Sequence, residues 1–279
     1  MGDATWDQVP TSHGIAGEGR VGLIMHRFFV PASWLEKEQV TITGTLVHRL
    51  RNVLRLNAGT HIILLDNSGW EHEVEITNVS SQRIEGRIVH KSLATAEPRT
   101  KISLYQAVLK LNKFEWVLQK GTELGIVGFV PMISERCVIG SLEDISKTKT
   151  ERWWRILMEA AEQSRRGRLP TLRPAVLFPT ACEDAGRGGL TLIPWEEEQD
   201  QSLRSILRAA ERPPFSINLF IGPEGGFTPQ ELTQAQRYGA IPITLGPRIL
   251  RAETAGLVAA AAILYELGDL GSSDSESTV

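Results

Sequence analysis

From about residue 100 onward, predicted strands alternate with predicted helices, and this alternation constrains the fold more than any other feature. The strand "KISLYQAVL" precedes the helix "KFEWVLQKGTELGI", and the same order repeats as far as the last helix, "ETAGLVAAAAILYEL". Such a pattern is typical of a parallel β-sheet that carries helices on both faces. The sequence therefore predicts an α/β domain over residues 99–268.

Residues 25–98 follow a different pattern, in which short β-prone runs are separated by turns. The runs "THIILLD", "WEHEVEITNV" and "RIEGRIVHKSL" come after a segment whose Leu46, Leu50, Val53 and Leu54 recur at helical spacing. This predicts a small β-rich domain with one helix. Residues 1–24 are polar and aperiodic, and residues 269–279 are acidic and rich in serine, so both ends are predicted to be disordered tails.

Composition indicates an ordinary soluble globular protein. Of the 279 residues, 42% are hydrophobic and 23% are charged. No apolar run is long enough to cross a bilayer, and the first residues lack the pattern of a signal peptide. Cys137 and Cys182 match no metal-binding spacing and are interpreted as buried thiols in a reducing compartment. We therefore expect a cytoplasmic protein without a metal site.

Charge is distributed unevenly, although the net charge is only −3. Residues 147–173 contain eight Lys/Arg against three Glu, and residues 26–59 are also basic. Solvated helix faces would explain such runs, but the arginines that surround a glycine in "EQSRRGRLP" favour local binding of a polyanion. The candidates for phosphate contacts are Arg27, Arg49, Arg51, Arg55, Arg165, Arg166 and Arg168.

Two glycine-proline loops follow neighbouring predicted strands near the C-terminus. "IGPEGGF" begins at residue 221 and "LGPRILRAETA" at residue 245. Ligands of α/β sheets bind beyond the carboxyl ends of strands, and glycine lets backbone atoms approach a ligand closely. The first loop fits neither a dinucleotide-binding motif nor a phosphate-loop motif. A tight strand-to-helix turn is the alternative for the first loop alone, but two such loops together predict the walls of one crevice.

This pair of loops resembles the signature of the ribosomal RNA small-subunit methyltransferase E family, whose SPOUT-class members methylate N3 of a uridine in 16S rRNA. The segments "HRFFV", "HRLRNVLRL", "LQKGTELGI" and "ERWWRILMEAAEQSRR" also resemble that family in order, over about residues 25–268. The resemblance implies a SPOUT-type parallel sheet with a C-terminal trefoil knot, one of the known exceptions to the rarity of knots. It also implies that a small PUA-like RNA-binding β-barrel precedes this domain.

The resemblance further implies S-adenosylmethionine as cofactor, 16S rRNA or the small ribosomal subunit as partner, and a homodimer through the knotted region. Because the last helix is apolar on nearly all sides, Ala259, Ala262 and Ile263 are predicted near a two-fold interface. A related SPOUT enzyme acting on ribose 2′-oxygen or on tRNA, and a non-catalytic RNA-binding module, are the alternative functions.

The crevice residues receive the following expected roles. Arg251 would stabilise negative charge on a uracil carbonyl oxygen, and Arg248 would fix the loop or contact phosphate. Glu253 would accept the imide proton, or would instead cap the following helix. Lys110 and Lys113 lie at a strand end near the crevice, in a stretch that departs from the family pattern. Residues expected to hold the cofactor are Leu192, Ile193, Pro194, Ile221, Gly222, Glu224, Gly225, Leu245, Gly246, Ile249, Leu250 and Thr254.

Overall fold

A computed structural model describes residues 25–271, so the predicted N-terminal tail and residues 272–279 lie outside the described residues. The first sheet has five strands in the order β1-β3-β4-β5-β2, with β1 parallel to β3 and the other pairs antiparallel. These strands are β1 (Arg27–Phe29), β2 (Gln39–Thr43), β3 (His61–Leu65), β4 (Trp70–Val79) and β5 (Arg83–Leu93). The predicted β-rich part of the chain is therefore present.

The helix predicted in this part is short and irregular. It consists of α1 (Thr45–His48), which continues as a π-helical stretch, Arg49–Val53. Leu50 is fully buried against the first sheet, but Val53 is 64% exposed. The helical spacing placed Val53 on the apolar face, and this is wrong because the wider π-helical turn changes which side chains share a face.

The second sheet has seven strands, and every pairing within it is parallel, as predicted. Its main order is β12-β10-β11-β6-β7-β8, and β9 also pairs with β7. The strands are β6 (Lys101–Ala107), β7 (Gly128–Ile133), β8 (Thr171–Leu172), β9 (Val176–Leu177), β10 (Leu190–Pro194), β11 (Ser216–Ile221) and β12 (Ile241–Ile243).

Helices cover both faces of this sheet. They are α2 (Lys113–Leu124), α3 (Lys147–Gln163), α4 (Phe178–Ala185), α5 (Leu203–Ala209), α6 (Pro229–Arg237) and α7 (Ala252–Glu266), with single 3-10 turns at Ala32–Trp34 and Leu142–Asp144. Leu219 packs in the core beneath α2, α3, α5 and α7, whereas its neighbour Phe220 packs in the core beneath α4 and α6. Successive residues of a strand thus pack into opposite cores. Because both faces of the sheet are buried, the strand sequences are continuous apolar runs.

The end of α3 joins the two sheets. Glu162 accepts hydrogen bonds from the Phe29 backbone N–H (3.2 Å) and from the Arg49 guanidinium (3.0 Å). Arg166, only 2% exposed, pairs with Glu97 at 2.9 Å and donates to the Ile126 carbonyl at 2.6 Å. Burial raises the pKa of the Glu162 carboxyl, although its hydrogen bonds oppose the rise.

The chain beyond α7 is packed rather than frayed as far as it is described. Asp269 accepts hydrogen bonds from the backbone N–H groups of Arg99 (2.7 Å) and Thr100 (2.9 Å), immediately before β6. Leu270 packs against the larger core. The prediction of a tail that begins at residue 269 is therefore wrong for residues 269 and 270, because Asp269 holds the start of the central strand β6 and Leu270 packs into the core.

The prediction for α7 also needs correction. Ala259 and Ile263 are fully buried in the core of their own chain, so they cannot lie in an interface with a second copy. Ala262 is exposed, as are Val258, four residues before it, and Tyr265, three residues after it, so the three share one side of the helix. An all-apolar helix of this kind is explained mainly by burial between α2, α5 and the sheet. Within residues 25–271, no helix is both long enough and apolar enough to span a bilayer.

Candidate active site

A cavity of about 920 Å³ lies at the carboxyl ends of β10, β11 and β12, with Lys113 of α2 in its wall. The sheet order places β12, β10, β11 and β6 side by side, so the segments that follow these strands converge. The lining residues come from three loops and from the first turns of α2 and α7. They are Lys113, Pro194, Trp195, Glu196, Glu198, Gln199, Ile221, Gly222, Pro223, Glu224, Gly226, Phe227, Thr244, Leu245, Gly246, Pro247, Arg248, Ile249, Leu250, Arg251, Ala252, Glu253 and Ala255.

The first wall is the glycine loop, residues 221–227, which turns the chain from β11 into α6. The Gly226 N–H donates to the Pro223 carbonyl at 3.0 Å, and Gly226 has φ 68°, a conformation that favours glycine. A Cβ on Gly222 would lie 3.3 Å from Gly226 and Phe227, which is tight contact. The helix that follows begins with a capping box, in which Thr228 and Glu231 exchange hydrogen bonds of 3.2 and 2.9 Å.

The second wall is the arginine loop, residues 245–251, which leads into α7. Gly246 has φ 105°, and a Cβ built there would meet no atom within 4 Å, so the backbone borders open space. Ile249 is 87% exposed although it lines the cavity. Arg251 is the N-cap residue of α7, and its carbonyl accepts the Ala255 N–H at 2.9 Å, while its exposed side chain makes no capping bond. Its guanidinium is therefore available to the cavity.

Glu253, in the first turn of α7, belongs to a small charge cluster. Its Oε1 lies 3.2 Å from Lys113 Nζ, and the same ammonium lies 3.7 Å from Glu224 Oε1. Burial opposes ionisation of Glu253, but its backbone hydrogen bond, Lys113 and Arg251 outweigh burial and lower its pKa. Glu253 is thus a carboxylate at neutral pH. Its Oε2 is enclosed and has no hydrogen-bond partner within residues 25–271.

Most of the predicted cofactor residues do line the cavity, together with Arg248, Arg251 and Glu253. Those that do are Pro194, Ile221, Gly222, Glu224, Leu245, Gly246, Ile249 and Leu250. Leu192 and Ile193 do not, because they face opposite cores and are fully buried. The Gly225 carbonyl instead accepts a hydrogen bond from Arg136 at 2.7 Å. Thr254 is not in the lining either, since it is turned about 100° from Glu253 around the helix.

The sequence interpretation missed the loop after β10. Trp195, Glu196, Glu198 and Gln199 line the cavity, as does Phe227. The sequence did contain the information needed to predict this loop. Strand β10 ends at Pro194, and a ligand site in an α/β sheet lies beyond the end of a strand rather than within it. The same rule applied to "WEEEQ" would have replaced Leu192 and Ile193 with these residues.

The proposed phosphate-binding arginines fall into two groups. Arg166 is buried in its ion pair with Glu97, so its assignment to RNA binding is wrong. Arg27 is mostly buried and pairs with Glu71, and Arg49 pairs with Glu162 while lying 5.1 Å from the Phe28 ring centre. Both of these have structural partners within the chain. Arg49 is nevertheless exposed, and the other exposed candidates are Arg51, Arg55, Arg165, Arg168 and Arg248.

The two cysteines differ in burial. Cys182 is buried, as predicted, and burial followed by the nearby Glu231 charge raises the pKa of its thiol to about 12. Cys137 is only half-buried, so the prediction holds for one cysteine of the two. In the part of the chain that the structure describes, no three His, Cys, Asp or Glu side chains cluster as metal ligands would.

Comparison with known proteins places this architecture among RNA-modifying enzymes. Residues 96–264 match the family model described as an RNA methyltransferase domain. The chain is 33% identical to the ribosomal RNA small subunit methyltransferase E of Bacillus subtilis, over 87% of this chain and 97% of that protein. It is 34% identical to the protein of the same name from Synechocystis, over 86% of this chain and 78% of that protein.

A solved structure is similar as well. It is a ribosomal RNA small subunit methyltransferase E from Neisseria gonorrhoeae bound to S-adenosyl methionine, with a TM-score of 0.76 and 32% identity. The similarity covers 86% of this chain and 97% of that one. The similarity therefore extends over nearly all of the residues that the structure describes.

Proposed function

Because the chain belongs to the ribosomal RNA small subunit methyltransferase E family, we propose that it methylates N3 of one uridine in 16S ribosomal RNA with S-adenosylmethionine as donor. The observation that carries the proposal is the cavity at the strand ends, which brings Arg251 and Glu253 to one wall beside two glycine-containing loops. A module that only bound RNA would have no need for such a cavity.

The cavity suits a nucleoside-containing cofactor. Its volume lies in the range typical of small-molecule sites, and the backbone at Gly246 borders open space, because a Cβ built there would meet no atom within 4 Å. Ile221, Leu245, Ile249 and Leu250 supply apolar surface for the adenine ring. Bound S-adenosylmethionine supplies a methyl group on a positively charged sulfur, which becomes a neutral thioether once the methyl group has moved to N3.

The chain's own residues then act on the uracil. N3 becomes nucleophilic as the N3–H bond breaks, and negative charge spreads onto the neighbouring carbonyl oxygens. The Arg251 guanidinium stabilises that charge, and the Glu253 carboxylate receives the N3 proton and passes it to water. Glu253 is a weak base because its pKa is lowered, so Arg251 provides the larger part of the stabilisation.

The remaining architecture follows from the same family membership. We propose residues 25–98 as a PUA-like RNA-binding domain and residues 99–268 as a SPOUT domain with a C-terminal trefoil knot, in a cytoplasmic protein. The exposed arginines Arg51, Arg55, Arg165 and Arg168 are the proposed phosphate contacts. The proposed homodimer uses the exposed stripe of α7, namely Val258, Ala262 and Tyr265.

Mass mapping of 16S rRNA nucleosides tests the function. A strain that lacks the gene should lose a single N3-methyluridine, and the intact chain should restore it. The Arg251→Ala variant, expressed at the same level, should not. A modification map that is unchanged by deletion, or a lost methyl group on a ribose oxygen, would contradict the proposal.

A further inference from the structure

Lys113 joins three cavity segments that come from different parts of the sheet. It lies at the start of α2, just after β6, and its Nζ is 3.2 Å from Glu253 Oε1 and 3.7 Å from Glu224 Oε1. Glu253 belongs to α7, which follows β12, and Glu224 to the glycine loop, which follows β11. One ammonium thus offsets the repulsion between two carboxylates in the cavity wall.

The turn that carries Lys113 is held in an unfavourable conformation. Leu111 has φ 54°, a left-handed conformation that L-residues other than glycine rarely adopt, and its side chain is 89% exposed. Packing of the Leu111 side chain therefore does not explain the turn. One of its restraints is the Lys110 backbone N–H, which donates to Glu224 Oε1 at 3.4 Å. Such strain persists where the surroundings fix it, frequently at functional sites.

The Glu253 carboxylate is only half satisfied by this arrangement. Lys113 holds Oε1, whereas Oε2 is enclosed and has no donor among the described residues. An enclosed acceptor without a donor is unfavourable, so a ligand that brings an N–H group to this oxygen gains binding free energy. The imide N3–H of uracil is a donor of that kind, whereas a cytosine N3 carries no proton.

We propose that Lys113 is a positioning residue for methyl transfer, an inference that rests on the proposed function. The Lys113 ammonium fixes the Glu253 carboxylate, so that its second oxygen receives the N3–H of the target uracil. Lys113 itself contacts neither the uracil nor the methyl group. The charged groups near Glu253 are Lys113 on α2, Arg251 at the start of α7 and, across the ammonium, Glu224 of the glycine loop.

The Lys113→Met variant tests the ion pair between Lys113 and Glu253 without any substrate. NMR titration of the ligand-free protein, with Glu253→Gln to assign the signal, should place the wild-type Glu253 pKa below its ordinary value. In Lys113→Met burial is no longer offset by the ammonium, so the Glu253 pKa should rise by about one unit or more. Lys113→Arg should restore most of the shift. An unchanged Glu253 titration in folded Lys113→Met protein would overturn the proposal.

The pH dependence of turnover tests the consequence for catalysis. Lys113→Met should lower turnover by about tenfold at a pH about one unit below its raised Glu253 pKa, where only about a tenth of the carboxyl groups remain ionised, and by progressively less as pH rises above that pKa. Lys120→Met is the matched control, since Lys120 pairs with Glu123 at 2.8 Å on the same helix but outside the cavity, and its profile should match wild type. A Lys113→Met defect of equal size at every pH would overturn the proposal in favour of a structural role. Failure of wild-type protein to methylate rRNA would instead overturn the proposed function. The NMR titration would still show whether Lys113 holds the Glu253 carboxylate.

Discussion

At the scale of single residues, the environment of each arginine decides what it can do. Arg251 and Arg166 carry the same charge, yet one guanidinium lines a cavity and the other is enclosed among Glu97, Thr122 and Ile126. The first is available to a substrate, and the second holds the linker between the two sheets. Sequence reasoning treated Arg165, Arg166 and Arg168 alike, because a run of basic letters does not reveal which side chain points inward.

Replacement of Arg251 should separate catalysis from binding. Arg251→Ala removes the charge that stabilises the ionising uracil, so turnover should fall by about a hundredfold or more. The affinity for S-adenosylmethionine should change little, because the arginine acts mainly in the transition state. Single-turnover rates and calorimetry measure the two effects. Full turnover in Arg251→Ala protein would refute this role.

Replacement of Arg166 should reduce stability rather than RNA affinity. Arg166→Met leaves the partly buried Glu97 carboxylate without its ion-pair partner, which lowers the free energy of unfolding by about 3 kcal/mol. Arg165→Ala, at an exposed neighbouring position, should leave stability nearly unchanged and weaken RNA binding with a flatter salt dependence. Urea unfolding and salt-dependent RNA titrations separate these outcomes. Equal free energies of unfolding for the two variants would show that the Arg166–Glu97 ion pair does not stabilise the contact between the two sheets.

At the scale of secondary-structure elements, α7 packs mainly into the core of its own chain, and only one side of it stays exposed. Ala259 and Ile263 pack inside the chain, whereas Val258, Ala262 and Tyr265 form the exposed apolar stripe. The composition of the helix revealed its burial but not its orientation, because an all-apolar sequence has no polar face to mark the outside. Only the exposed stripe is available to the proposed homodimer.

A charge on this stripe should therefore dissociate the homodimer without unfolding the chain. Ala262→Glu places a carboxylate in the proposed interface, so light scattering should report a monomer at about micromolar concentration, where the wild-type protein should be a dimer. Ala262→Ser is the matched control and should remain dimeric. A wild-type monomer, or a dimer that tolerates Ala262→Glu, would count against the stripe as the interface.

The segment that follows α7 should make the stability of the fold depend on pH. Burial alone would raise the pKa of Asp269, but hydrogen bonds from Thr100 and Arg99 outweigh it and lower the pKa. A carboxyl group with a lowered folded-state pKa contributes stability above its ordinary titration range and loses it as pH falls through the folded pKa. Asp269→Asn should thus be destabilised at neutral pH and approach wild type in acid. Urea midpoints across pH measure this, and a pH-independent gap would contradict it.

At the scale of the whole molecule, the sequence supported the arrangement of elements better than the identity of contacts. The parallel sheet, the two loops and the position of the crevice followed from alternation and from the strand-end rule. The two-residue strands β8 and β9 are too short to show the alternation of side chains that identifies a strand. Helix α4 was not predicted either. The Lys113–Glu253 and Arg166–Glu97 pairs were also out of reach, because the partners lie far apart in the chain.

Calorimetric titration with S-adenosylmethionine tests the central claim most directly, namely that the cavity between the strand ends holds the methyl donor. Gly246→Ala adds a methyl group to a cavity residue with positive φ, and Gly239→Ala adds one at φ 84° outside the cavity, with no atom within 4 Å in either case. Both variants bear a similar backbone strain of about 1 kcal/mol. Wild type and Gly239→Ala should bind alike, and Gly246→Ala should bind roughly tenfold more weakly or not at all. No binding heat from folded wild-type protein, or equal affinity in all three proteins, would contradict the account.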